Sequence, residues 1–174
     1  LWWGQRTTTV DRLEIQTWSR CQWPTTNSAD DIYFPRGTFL PDEVRERGLS
    51  KTYSGVLAAM HEPPLSSTMD GEVEFYRFTW LRAFHPQVVV RVWRSGRERC
   101  LTVKQIERKY VNGETAYPEG FQVNATRSLR EDEWNDFKEH LNRGHFWSLP
   151  TVDGRPLAND GAFWVMEGVR DHKY

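Results

Sequence analysis

No excess of basic charge runs through this sequence: 23 Lys and Arg face 24 Asp and Glu, for a net charge of −1. Affinity for nucleic acid comes largely from neutralising phosphates, so a chain whose charges balance and alternate is not expected to bind it. The one locally basic stretch, Arg94-Ser95-Gly96-Arg97-Glu98-Arg99, reads as a charged hairpin tip. Nothing in the chain is long and apolar enough to cross a bilayer. Cysteine is scarce. Cys21 and Cys100 belong to no CxxC or Cys/His cluster, which removes the usual structural zinc site. Nothing in their spacing argues for pairing, so two buried thiols are expected ahead of one disulfide, which would need an oxidising compartment. Catalytic signatures are missing as well: there is no GxSxG elbow, HExxH, GxGxxG or P-loop. His61, His85, His140, His145 and His172 show no ligand spacing, so neither a metal nor a cofactor is expected.

Aromatic residues are abundant: nine Trp, nine Phe and six Tyr in 174 residues. Such side chains bury large areas with few rotatable bonds, so a core built on them is stable with modest aliphatic content. One sheet with few helices cannot hide them all, and some are expected at the surface. The length suits a single domain, with an N-terminal strand and long loop over 1–49 and an α+β core over 50–174. The chain opens Leu1-Trp2-Trp3-Gly4-Gln5-Arg6, which reads as the trailing edge of an apolar segment, because Trp beside a basic residue suits a membrane–water interface. A signal peptide or membrane anchor ahead of it and an arbitrary boundary stand as equal readings, and the chain is expected to be a fragment of a longer one.

Alternation at Leu13 and Ile15 predicts a first strand over 9–18, followed by an extended loop over 22–42. A single helical turn over 42–47 is expected to end at Gly48. Ser50 then caps a helix over 50–60, with Tyr53, Val56, Leu57 and Met60 at helical spacing and Pro63-Pro64 as the stop. Four alternating segments predict strands at 74–81, 87–93, 100–108 and 121–129, with a loop over 110–120. A second helix over 131–142 carries the stripe Trp134, Phe137 and Leu141, with acidic residues in its first turn. Ser128 fits a capping box there, whereas a later start sets Leu129 against Trp134 as a hydrophobic staple. Gly144 is the expected stop, and a last strand covers 162–170. These elements predict a twisted antiparallel sheet of about five strands, with the 131–142 helix on one face and the 50–60 helix at its rim.

Four segments together resemble a known family. They are Tyr53-Ser54 to Pro63; Tyr76-Arg77-Phe78, Trp80-Leu81-Arg82 and Phe84; Phe146-Trp147 with Leu149-Pro150; and Asp160-Gly161-Ala162 with Trp164 and Glu167-Gly168. The pattern, YRFxWLRxF, FWxLP and DGAxWxxEG, is similar to that of uncharacterised bacterial proteins that often carry an N-terminal signal or hydrophobic segment. The resemblance covers roughly 50–174 and implies no catalytic role. It favours a periplasmic or membrane-anchored setting over a cytoplasmic one.

Two sets of residues are candidates for function. Glu62, Asp160 and Glu167, with His85 beside them, would give a hydrolase its general acid and base if they converged. The competing reading pairs Glu167 with Arg77 or Arg91 across the sheet, and it weighs more because such pairs are common structural devices. Arg77, Trp80, Arg82, Arg91, Trp93 and Trp164 form the binding set, suited to a partner protein or a small polar ligand. The function expected first is therefore a non-enzymatic binding or interaction domain, with a carboxylate hydrolase as the alternative. A subunit of a larger complex would show a contiguous apolar surface patch of a few hundred Å².

Overall fold

Alternation of β-branched and aromatic residues beyond position 73 yields strands that pair side by side, as a pleated surface with two distinct faces requires. A computed structural model of the chain describes residues 21, 33–35, 38–39, 43–65, 73–107, 109–111, 114–117, 120–151, 161–171 and 173–174. In chain order the elements are α1 (Glu43–Ala59), β1 (Val73–Arg82), β2 (Gln87–Ser95), β3 (Glu98–Ile106), β4 (Lys109–Val111), β5 (Glu114–Ala116), β6 (Val123–Ser128), α2 (Glu131–Arg143), a 3-10 turn (Phe146–Ser148) and β7 (Ala162–Val169). Five strands form one antiparallel sheet in the order β6-β3-β2-β1-β7, and β4 pairs with β5 in a separate hairpin. The architecture is α+β with an antiparallel sheet.

Directly opposed residues point to the same side of an antiparallel sheet, so the register defines rows that cross all the strands. One face carries the row Gly168, Tyr76, Val92, Leu101 and Arg127. Helix α2 lies across the strands above it. Glu131 meets Arg99 of β3 at 3.4 Å, and Trp134 lies 5.6 Å from the Arg94 guanidinium of β2. Further along, Lys138 Nζ donates to the Tyr76 hydroxyl of β1 at 3.2 Å and touches the Glu74 carboxylate. Phe146 and Trp147 then close over β7, where a Cβ on Gly168 would stand 2.7 Å from Phe146 Cε1. Only a glycine lets those rings reach the backbone. Trp134 and Leu141 are buried against Tyr76 and Val92, with Phe137 packed beside them, so the expected stripe seals this part of the sheet.

The other face is covered by α1 and the turn that follows it. Tyr53, Val56, Leu57 and Met60 pack on Leu81, Val89 and Ile106. Beyond Met60 the chain turns through His61, which takes the left-handed conformation (φ 50°). His61 N–H donates to Ala58 O and Glu62 N–H to Leu57 O, each at 2.9 Å, which is the double bond of a Schellman stop. This stop aims Glu62 at the sheet, where an apolar residue normally sits.

Several expectations need adjustment. Cys21 and Cys100 are joined in a disulfide, with Cα atoms 5.8 Å apart, and are not two thiols. A separation of 79 residues carries no information about distance; β3 delivers Cys100 to a cluster with Phe75, Trp93, Leu65 and Val169, which Cys21 enters. Helix α1 begins at Glu43 and runs through Gly48, since a glycine inside a helix costs only about 1 kcal/mol and does not break it. The 110–120 loop contains the β4–β5 hairpin. Helix α2 starts after Arg130, whose N–H donates to Glu133 Oε2 at 2.8 Å, and Ser128 belongs to β6. At the far end Gly144 keeps an ordinary φ of −76° and His145 takes the left-handed position. The strand expected over 9–18 and most of the 22–42 loop lie outside the described residues.

Because the disulfide closes a long loop, its loss frees much unfolded-chain entropy. The double variant C21S/C100S is expected to lose roughly 2–4 kcal/mol in urea unfolding. Reduced wild-type protein should match it; an unchanged midpoint on reduction would remove the bridge from the account of stability.

Candidate functional site

The two faces of the sheet distribute polarity in an unusual way. On the α1 face, the row Glu167, Arg77, Arg91, Thr102 and Thr126 crosses all five strands, and it is polar at every position. It separates the apolar cluster around Cys21–Cys100 from the one beneath α1. Arg77 is wholly buried and grips Glu167 with two parallel bonds, Nε to Oε2 and Nη2 to Oε1, both 2.8 Å. Its Nη1 donates to Pro63 O at 2.6 Å. Arg91 Nη1 reaches both oxygens of Glu62 at 3.1 Å, and Lys104 Nζ reaches Glu62 Oε1 at 2.8 Å. Lys104 also donates to Met60 O at 2.7 Å and His61 O at 3.1 Å, so it compensates the carbonyl end of α1.

Burial pulls Arg77 down, yet the Glu167 and Glu62 carboxylates outweigh it and hold the guanidinium above its usual value. For Arg91 and Lys104 burial wins over the attraction of Glu62, and both sit below their usual values. Tyr174 is 36% exposed overall, but its hydroxyl donates to Glu167 Oε1 at 3.0 Å; desolvation of that end of the ring and the neighbouring negative charge drive the phenol above the ordinary tyrosine range. Three cations and two carboxylates thus share the interior. The side chains of Glu62 and Glu167 are only 0% and 3% exposed, and cations hold their oxygens, so neither is open to a substrate. Glu62 and Glu167 are therefore brought together through Arg77 as a structural network. Asp160 lies outside the described residues, and His85 sits exposed in the β1–β2 turn, away from them. Among the described residues no group of three or more His, Cys, Asp or Glu is placed to hold a metal ion.

The opposite face is apolar where it is open. Beside the row under α2 lie two more: Phe78, Val90, Val103, Ala125 and Met166, then Trp80, Val88, Gln105, Val123 and Trp164. Across two rows of five, only Gln105 is polar. Met166 and Trp164 are half exposed, at 49% and 50%. A groove of about 590 Å³ runs along the Phe137 side of this strip, floored by Phe78, Val90 and Met166 and flanked by Arg127 and Glu133. Trp80 and Trp164 stack with centroids 5.3 Å apart and planes 6° from parallel, and the Arg82 guanidinium lies 4.3 Å over Trp80. Arg82 is itself held by Pro86 O, at 2.9 Å from Nε and 2.5 Å from Nη2.

Of the binding set read from the sequence, Trp80, Arg82 and Trp164 converge on this open strip. Arg77, Arg91 and Trp93 do not; they point to the α1 face, where the arginines are paired and Trp93 packs in the disulfide cluster. Val88, Val90 and Met166 were missed. Valines alternating on a strand read as core, and because α2 crosses over the neighbouring Tyr76 row they are only partly covered.

Removing one partner of a buried ion pair leaves charge without compensation, so Glu62→Leu is expected to cost roughly 3–5 kcal/mol in urea unfolding. Tyr174 gives a pH test with a definite sign. Its folded pKa lies above the unfolded one, so its contribution is complete below about pH 10 and is lost as pH climbs beyond. Wild-type stability should therefore fall more steeply above pH 10 than that of Tyr174→Phe, and parallel profiles would show that the phenol titrates freely.

Among the described residues no helix is long and apolar enough to cross a membrane. Comparison with protein-family models, curated proteins and solved structures finds no match to this chain.

Proposed function

We propose that this is a non-enzymatic interaction domain whose docking surface is the open apolar strip beside α2. The observation that carries the reading is the pair of nearly all-apolar rows crossing five strands, whose Met166 and Trp164 are half exposed while Phe78 and Val90 pack against the flank of α2. At about 4.8 Å per strand and 6.7 Å per row the strip spans roughly 300 Å², the scale at which exposed apolar patches mark contact sites. Its chemistry favours an apolar segment of a partner over a small polar ligand, because the floor offers shape and aromatic area but few hydrogen-bonding groups. The stacked Trp80–Trp164 pair and Arg82 are the anchors of that contact, with Trp164 half open to water.

The setting we infer is extracytoplasmic, with the domain secreted or held at a membrane as part of a larger bacterial assembly. The Cys21–Cys100 disulfide supports it, since such bonds persist in oxidising compartments and are rare in the cytosol. The resemblance to bacterial proteins with N-terminal signals points the same way.

Two measurements test the reading. The double variant Trp164→Ser, Met166→Asp should bind the apolar dye bis-ANS at least fivefold less than wild type, with stability lowered by about 1–3 kcal/mol through loss of the Trp80 stack and the fold retained. Unchanged dye binding, or a collapse in stability, would mean the strip is ordinary core. Thiol blocking of the protein taken directly from its own cells should find both cysteines oxidised; free thiols there would remove the extracytoplasmic assignment.

A further inference from the structure

The basic stretch from Arg94 to Arg99 at the β2–β3 turn belongs to a longer row of cations on the α2 face. Arg94 and Arg99 are directly opposed across β2 and β3, and Glu74 faces Arg94 from β1. Arg170, one residue beyond β7, falls opposite Glu74 by the same register. Lys138 of α2 comes down over β1, touching Glu74 and donating to the Tyr76 hydroxyl. The foot of α2 is therefore lined by Arg170, Lys138, Arg94 and Arg99 in that order. Across three strand spacings of about 4.8 Å the row is roughly 14 Å long. Exposed Arg97 in the turn and Lys173, bridged to Arg170, extend the charge at its two ends. Against these stand Glu74, Glu131 and Asp171, while Glu98 points to the opposite face by strand alternation.

Two features separate this row from an ordinary solvated face. Like charges directly opposed on neighbouring strands destabilise a sheet, and Arg94 and Arg99 are such a pair. The guanidiniums are also held in place without being saturated by bonds. Arg94 lies 5.6 Å from the Trp134 ring and Arg170 4.8 Å from the Trp147 ring. Their carboxylates stand off: Arg94 to Glu74 and Arg170 to Asp171 are both 3.5 Å, and Arg99 to Glu131 is 3.4 Å. The fork of Arg77 on Glu167, by contrast, closes at 2.8 Å. The side chains of Glu131 and Asp171 are 75% and 81% exposed, so an incoming anion displaces them easily. Glu74 is buried and shared with Lys138 and Tyr76.

We propose that this row binds a linear polymer of phosphate groups without bases, laid along the foot of α2. Planar guanidinium forks suit phosphate oxygens, and a line of cations suits a chain of repeated charge better than one compact anion. Single-stranded nucleic acid fits poorly. Its bases need open aromatic faces, whereas Trp134 is buried and the arginines lie against both rings. An acidic peptide fits poorly as well, because the row crosses the strands at right angles and gives an extended backbone no sheet edge to pair with. The net charge of −1 is no obstacle, since charges more than about 10 Å from the row are screened at ordinary salt. The proposal is independent of the apolar strip, which lies on the other flank of α2.

The test titrates a glycerol phosphate oligomer into the intact chain at salt between ~50 and ~200 mM. Saturable binding is expected, with log K falling against log salt at a slope of about −3, or about 0.7 for each phosphate held by the row. The double variant Arg94→Gln, Arg170→Gln should bind at least tenfold more weakly at the lowest salt, with the slope reduced to about −1.5. Should that variant lose the fold, Arg170→Gln alone, whose side chain is 37% exposed, reads half of the slope change. Lys51→Gln removes an exposed cation of α1 on the other side of the sheet and should bind as wild type. An equal loss there would overturn the row in favour of diffuse charge. Polyglutamate binding as tightly would overturn phosphate in favour of an acidic protein segment. Binding to phosphatidylglycerol vesicles without binding to the free oligomer would overturn the soluble polymer and assign the row to a membrane surface. Absence of salt-dependent binding to either would overturn the proposal outright, and would leave the docking strip as it stands.

Discussion

The Glu62 carboxylate is the point on which the rest of this structure hangs. It lies at the C-terminal stop of α1, buried, with Arg91 and Lys104 on its oxygens and Arg77 within 3.8 Å. An unpaired charge in that position would be prohibitive, and so would Arg91 or Lys104 without it. The network is thus satisfied only when the turn at 60–63 is pressed onto β1, β2 and β3 together. Lys104 and Arg77 add bonds to the carbonyls of Met60, His61 and Pro63, so backbone and side chain are stitched at once. Helix α1 is therefore located by charge as well as by Tyr53, Val56 and Leu57.

Fixing one face in this way frees the other. With α1, the turn and the disulfide covering the charged side, α2 is the one long element over the second face among the described residues, and it crosses at a single row. Its placement follows from bonds to three strands and from bare backbone at Gly168, which lets Phe146 and Trp147 close over β7. Of the two outer rows, Phe78 and Val90 join the cluster under α2, while Met166 and Trp164 remain half exposed. They are available for a partner at little cost to the fold, which is the arrangement an interaction domain needs.

Much of this architecture was legible in the sequence. The alternation in 74–81 and 87–93 and the stripe Trp134, Phe137 and Leu141 each have one strong structural interpretation, and both appear. The β4–β5 hairpin had a signal too, the Asn112-Gly113 dipeptide, which favours a tight turn between strands. The start of α1 was obscured because Gly48 and Ser50 imitate a stop and a cap. The disulfide and the partner of Arg91 were hidden for a different reason: spacing does not encode distance, and Glu62 reaches the sheet only through the left-handed turn at His61. The candidate surface was half visible. Trp80, Arg82 and Trp164 stood out as aromatics and a cation, whereas Val90 and Met166 look like any buried strand residue until the row over which α2 crosses is known.

A strand normally knows which way up it belongs because one set of alternate side chains is greasy and the other is not, and a slip of one residue would expose the wrong set. In this sheet both sets include large greasy side chains, so that instruction is weakened. The charged row supplies the missing instruction: displaced by a single position, Arg77, Arg91 and Lys104 would face α2 and its aromatics, with both carboxylates left behind. Polarity at the centre of this protein serves as its spelling, distinguishing one alignment of the strands from the neighbouring wrong ones.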